Sequence, residues 1–313
     1  MPYSQSTHNP PVASFLSMLS SSRMHADNFL IPFYSKMEMP IADLSGKLVI
    51  ITGSNSGIGL ETARAFAGMG ARVVLACRNE ARGEEAKKQI IQSTGGNTAA
   101  LTLTEDGYEQ TYQTNHLSHV LLTHSLLNAG CIAPNGRIIS VSSVGYYSSD
   151  PLNKNNIDNH DILTKFDNKT GTKLPLADMM QLYFRSKAAQ AVWSMALQRR
   201  LSEIEGWKGI TVHSCHPGTV KTAIWSQPNG AGAMTDMASS LFKLAARTLG
   251  ISSEEGAVTS VWLAVAPEPA SPGMEGLFWD RMQWKWVKPW SLDVTLQDGL
   301  WDVWCKETGA PLY

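Results

Sequence analysis

Charge is scarce in this chain. Only 17% of its 313 residues are Asp, Glu, Lys or Arg, and 26 basic residues against 27 acidic ones leave a formal charge of −1. With a pI near 6.7, a binder of nucleic acid that works by neutralising phosphates is excluded. Long apolar runs are missing too. No stretch reaches the roughly 18 residues needed to cross a bilayer, so no transmembrane segment is expected. The four cysteines, Cys77, Cys131, Cys215 and Cys305, stand far apart with no CxxC, which excludes a disulfide framework or a structural zinc site. His116 with His119, and His213 with His216, have no carboxylate or thiolate cluster nearby in sequence to complete a metal site.

What is present suits a globular enzyme. Apolar residues make up 43% of the chain, enough to bury a large core. Residues 1–26 hold seven serines, one arginine and no acid. This faintly resembles a mitochondrial transit peptide, but the positive charge is thin and Pro10-Pro11 would break an amphipathic helix. Residues 1–42 are therefore expected to be a disordered extension, with Met37 or Met39 as candidate starts, and the protein is expected in the cytoplasm.

From residue 43 the pattern alternates. Strands are expected at 47–52, 72–77, 98–104, 136–142 and 210–214. Helices are expected at 57–69, 79–93, 107–127 and 178–204, with a polar loop at 148–176. Alternating strands and helices imply an α/β doubly wound parallel sheet in a single domain, 43–313. Between the first strand and the first helix lies Thr52-Gly53-Ser54-Asn55-Ser56-Gly57-Ile58-Gly59. Glycines there allow a tight turn, a close approach to a pyrophosphate and close helix–strand packing, and the helix N-terminus offers N–H groups to phosphate oxygens.

This turn resembles the TGxxxGIG of the short-chain dehydrogenase/reductase family. Asp43 to Lys47 and Asn115-His116-Leu117-Ser118-His119 resemble its retinol-dehydrogenase-like branch. The resemblance implies a Rossmann-like fold and an NAD(P) cofactor. It assigns Gly53, Asn55, Ser56, Gly57, Ile58 and Gly59 to the cofactor, and Val220 and Thr222 of Pro217-Gly218-Thr219-Val220-Lys221-Thr222 to its nicotinamide end. Arg78, where an NAD enzyme would carry an acid for the ribose hydroxyl, suits the 2′-phosphate of NADP.

The chemistry rests on Tyr183-Phe-Arg-Ser-Lys187, the one YxxxK in the chain. Four residues apart on a helix, the two side chains share a face. A phenol is a poor base at neutral pH, and a neighbouring ammonium is expected to lower its pKa. The resemblance makes Tyr183 the acid/base, Lys187 its tuner and second cofactor contact, Ser143 the substrate-orienting serine and Asn115 the holder of a relay water. Ser142 is the plain alternative to Ser143. The implied reaction interconverts an alcohol and a carbonyl on a small lipophilic molecule, and family members pair as homodimers through the helices at 107–127 and 178–204. Residues 221–249 fall where the family has a mobile substrate lid. Six of the ten tryptophans lie between Trp279 and Trp304, read mainly as packing of the C-terminal segment.

One βαβ unit of the family pattern has no counterpart between Gly59 and Asn115. Asn128-Ala129-Gly130 lies in the wrong loop to replace its NAG-type motif. An open slot at the sheet centre would strand backbone polar groups, so 98–104 is expected to move into it beside the first strand. The same shortfall motivates a rival reading, a catalytically impaired member that binds nucleotide or a partner.

Overall fold

The computed structural model describes residues 10–30, 34–77, 101–220 and 250–312. Strand β1 (Leu48–Thr52), helix α2 (Gly57–Gly68) and strand β2 (Arg72–Ala76) follow α1 (Pro10–Leu30). A helical turn at Gln110–Tyr112 and a wide π-turn at Gln113–Leu117 lead into α3 (Ser118–Asn128), then β3 (Arg137–Val141) and a 3₁₀ turn at Val144–Ser148. There follow α4 (His160–Lys165), α5 (Leu176–Glu203), β4 (Thr211–His216), α6 (Ser253–Val265), β5 (Phe278–Asp280), β6 (Gln283–Lys285) and α7 (Val294–Thr308).

The strands form two groups. β1 and β2 pair in parallel, Leu48 opposite Arg72 through Thr52 opposite Ala76. β3, β4 and β5 are parallel neighbours in that order, and β6 closes the group antiparallel to β5. All six residues of β4 are buried, as a central parallel strand requires. α5 packs on it with an alanine-rich face, Ala188, Ala189, Ala191, Val192, Trp193 and Ala196, in the main core. The parallel α/β architecture is as expected.

The centre of the sheet is not. Residues 98–100 lie outside the described residues, and Leu101–Thr104 do not pair with β1. The Leu101 N–H donates to the Thr172 carbonyl at 3.0 Å, its carbonyl accepts from Gly171, and Leu103 bridges Glu109. Leu101 is fully buried among Ile162, Leu163, Leu174 and Leu182, so a second apolar cluster claims this segment. That cluster also anchors 148–176, a mostly exposed segment that carries the short helix α4 and buries Ile162, Leu163 and Leu174. Among the described residues, β1 pairs with β2 alone and β3 with β4 alone.

The N-terminal segment corrects a second expectation. Pro10 and Pro11 open α1 instead of breaking it, because the first turn of a helix has no use for their missing N–H groups. Met24, 1% exposed, belongs to the main core, and the Ser20 hydroxyl accepts from the Trp286 N–H at 3.2 Å. α1 thereby lies against the 3₁₀ turn after Ser143 and the turn at Pro289–Leu292.

α7 settles on α5 and α3. Trp301 and Trp304 enter the core, Arg200 lies 4.3 Å over the Trp301 ring, and the Ala310 carbonyl meets His124 Nδ1 at 2.7 Å. Three of the C-terminal tryptophans, Trp279, Trp301 and Trp304, are thus packing residues. α3 and α5, the helices expected to carry a homodimer, each meet the chain's own α7 on one side. No helix among the described residues is long and apolar enough to cross a membrane.

Candidate active site

The glycine turn has the conformation its sequence demands. Gly53 and Gly57 sit at φ +60° and +49°, a region that side chains disfavour. A Cβ on Gly59 would stand 2.4 Å from the Gly53 carbonyl oxygen, so only glycine lets α2 start this close to β1. Ser56, the residue before α2, has no side-chain capping bond, which leaves first-turn N–H groups of α2 for a ligand. Ser54 is fully buried beside Cys77, and Asn55 and Ile58 are half-buried. Ile58 and Val220 both reach towards Gly256, where a Cβ would meet Val220 at 2.5 Å and Ile58 at 3.3 Å. The glycine turn and the Pro217–Val220 turn therefore meet across α6. Arg78, Thr222, the helix expected at 79–93 and the expected lid at 221–249 lie outside the described residues.

Three of the expected catalytic residues, Ser143, Tyr183 and Lys187, meet at the carboxyl end of β3, and Asn115 is tied to the same helix through Ser186. Ser143 follows β3 in extended conformation, and its hydroxyl accepts from the Gly145 N–H at 3.1 Å. Ser142 donates to the Lys187 carbonyl at 2.7 Å, which spends its hydroxyl on the backbone and leaves Ser143 as the reactive candidate. Tyr183 and Lys187 share one face of α5, with the amine 5.8 Å from the phenol ring centroid. Lys187 donates to the Val141 carbonyl at 3.0 Å and to Gln190 Oε1 at 2.9 Å. Asn115 sits in the π-turn, a distortion frequent at functional sites. Its amide donates to Ser186 Oγ at 3.1 Å, and that hydroxyl donates to the Tyr183 carbonyl at 2.8 Å.

The electrostatics depart from expectation. Burial pushes the Tyr183 phenol above its ordinary pKa, and a hydrogen bond with Ser143 works the other way. Burial also drives the Lys187 amine down to about 8. A lysine that itself resists carrying charge is a weak handle on the phenol, so removal from water outweighs the expected lowering.

Several residues escaped sequence reasoning. His216, held neutral because burial pushes it down to about 3, accepts the Val144 N–H on Nδ1 at 3.2 Å and steadies the turn after Ser143. Gly145 leaves room for the tyrosine, since a Cβ there would press on Phe184 at 2.6 Å and Tyr183 at 3.4 Å. His119 bonds both to Asn115 and to Thr52. Its spacing of four from Asn115 on a helix was the one available signal. Neither histidine pair joins a metal cluster among the described residues.

Comparison with known proteins bears on the chain's family. A family model described as short chain dehydrogenase matches residues 47–104. Mouse retinol dehydrogenase 11 is 30% identical over 308 residues, covering 86% of this chain and 88% of that protein. The WW domain-containing oxidoreductase of Pongo abelii is 33% identical over 280 residues, which is 76% of this chain. The chain spans only 62% of that relative's length. Among solved structures, an uncharacterised protein of Mycobacterium paratuberculosis superposes with a TM-score of 0.60 at 21% identity, over 87% of this chain and 97% of that one. At that identity the likeness speaks for the fold alone.

Proposed function

The chain belongs to the short-chain dehydrogenase/reductase family, and on that premise we propose that it is an NADP-dependent oxidoreductase interconverting an alcohol and a carbonyl on a small lipophilic molecule. The observation that carries the reading is the Tyr183 ring against the turn after Ser143, where a Cβ on Gly145 would stand 3.4 Å from it, with the Lys187 amine 5.8 Å from the same ring.

The residues present fit a nicotinamide dinucleotide. The turn from Gly53 to Gly59 leaves α2 N–H groups uncapped for a pyrophosphate, and Val220 touches the same α6 glycine as Ile58. Gly53, Asn55, Ser56, Gly57, Ile58, Gly59 and Val220 would hold the cofactor, with Thr222 and Arg78 assigned by sequence pattern. Arg78 is the basis for preferring NADP. When bound, the nicotinamide supplies or accepts the hydride.

The chain's own groups handle the oxygen. Ser143 donates to the substrate oxygen and orients it. Tyr183 gives that oxygen a proton as a carbonyl is reduced, or takes one as an alcohol is oxidised. Lys187, poised near pH 8, contacts the cofactor and biases the phenol when protonated. Asn115 holds the relay side of the site. The lipophilic substrate is read from the likeness to retinol dehydrogenase 11. A cytoplasmic location remains the reading for the cell.

A rival has one observation in its favour. β1–β2 is not joined to β3 among the described residues, which suits a member that keeps the fold and binds nucleotide or a partner without turnover. NADPH titration and a carbonyl screen separate the two. Wild type should bind NADPH in the micromolar range by order of magnitude, and Arg78→Ala should weaken NADPH far more than NADH. Tyr183→Phe should bind equally well and lose turnover by about 10²- to 10⁴-fold. Binding without turnover of any carbonyl in wild type supports the rival.

A further inference from the structure

His119 lies between the two groups of strands. Its Nδ1 is 2.8 Å from the Asn115 carbonyl oxygen, and its Nε2 is 3.1 Å from the Thr52 hydroxyl at the end of β1. A carbonyl can only accept, so Nδ1 must carry a proton. Burial, with a smaller push from the Lys187 charge, lowers the His119 pKa against the pull of the Asn115 bond. The ring is thus neutral with one proton, Nε2 is left as an acceptor, and Thr52 donates to it.

The Asn115 end of this chain is equally fixed. The Asn115 amide is tied through Ser186 to the backbone of Tyr183. A continuous line of hydrogen bonds therefore runs from Thr52, one residue before the glycine turn, through His119, Asn115 and Ser186 to the tyrosine.

We propose that His119 is a positioning residue, a strut that orients the Asn115 carbonyl and couples the glycine turn to the helix bearing Tyr183. It touches no reacting atom. The inference rests on the oxidoreductase reading only for its catalytic consequence.

Imidazole ¹⁵N NMR of the resting, full-length protein is the first test. His119 should show the Nδ1–H tautomer and titrate below its ordinary value, while Thr52→Val should shift Nε2. A ring titrating near the ordinary value of about 6.5, an Nε2–H tautomer, or an Nε2 resonance indifferent to Thr52→Val would each overturn the strut. In turnover, His119→Phe should lower kcat about tenfold with little change in KM. Thr52→Val should reproduce most of that loss, His119→Gln should retain more activity than Phe, and the double variant Thr52→Val/His119→Phe should be no worse than His119→Phe. Losses that simply multiply would overturn the coupling. A wild type that turns nothing over would sink the oxidoreductase reading and leave the NMR result to judge the strut.

Discussion

The two groups of strands bury their chains very differently. β4 hides every residue between β3 and β5, under the alanine face of α5. In the β1–β2 pair only Ile51 is buried, while Leu48, Ile50 and Val74 are 49%, 39% and 44% exposed. Ile51 shares its cluster with Ala63 and Phe66 of α2 and with Val261 of α6. The catalytic half carries its own core, whereas the glycine-turn half leans on α6 and on single links such as Thr52–His119. On the proposed reading, the chemistry would sit on the better-packed half, and nucleotide recognition on the half with the smaller share of packing.

That contrast can be broken most forcefully in the catalytic half. Trp304→Ala, deep in the main core, should cost about 3–5 kcal/mol of unfolding free energy, read from the urea midpoint. A loss under 1 kcal/mol would mean this core is not the main support. Next comes Lys187→Met. With a folded pKa near 8 against an ordinary 10.5, the unfolded chain holds more protons between those values, so wild-type stability rises with pH across that window. At pH 7 the methionine variant should be more stable by roughly 2–3 kcal/mol, and its advantage should shrink from pH 8 to 10.5. An advantage that does not change with pH would show that the amine is not penalised by burial.

Gly59→Ala probes the other half. The Cβ clash with Gly53 should weaken NADPH binding at least tenfold while costing only about 1–3 kcal/mol of stability, and equal binding would mean that the turn is not the phosphate site. Leu48→Ser should be the mildest. On an exposed strand position it should move the urea midpoint by less than about 0.5 kcal/mol equivalent. A large effect would reveal that the outer edge of β1 is covered in solution.

The sequence made the framework legible where a period or a turn imposes itself. KLVIIT, the glycine turn, the helix of Tyr183 and the strand at 211–216 were all readable, because each satisfies its pattern locally. Leu101–Thr104 was legible as an extended segment but not in its place. Its partners, Thr172 and Leu174, lie some 70 residues away, and nothing local says that they outcompete β1. α1 was hidden by its serines and two prolines, and its buried side chains, Ala13, Ser17 and Met24, meet partners far along the chain. At the site, the four-residue spacing pointed to Tyr183 and Lys187, and the family resemblance to Ser143 and Asn115. The balance between burial and the Lys187 charge, and the role of His119, depend on distances that no spacing encodes.

α1 bonds to Trp286, 266 residues further along the chain. During synthesis at about 5–20 residues per second, α1 leaves the ribosome roughly 15–50 s before Trp286 does, and its seat is incomplete until then. Met24 and Ala13 must wait unburied through that interval, alongside Phe15 and Leu19, which stay exposed even in the finished fold. The contacts that α1 makes with Pro289–Leu292 are therefore late to form, and its apolar side chains need shelter until that part of the chain arrives.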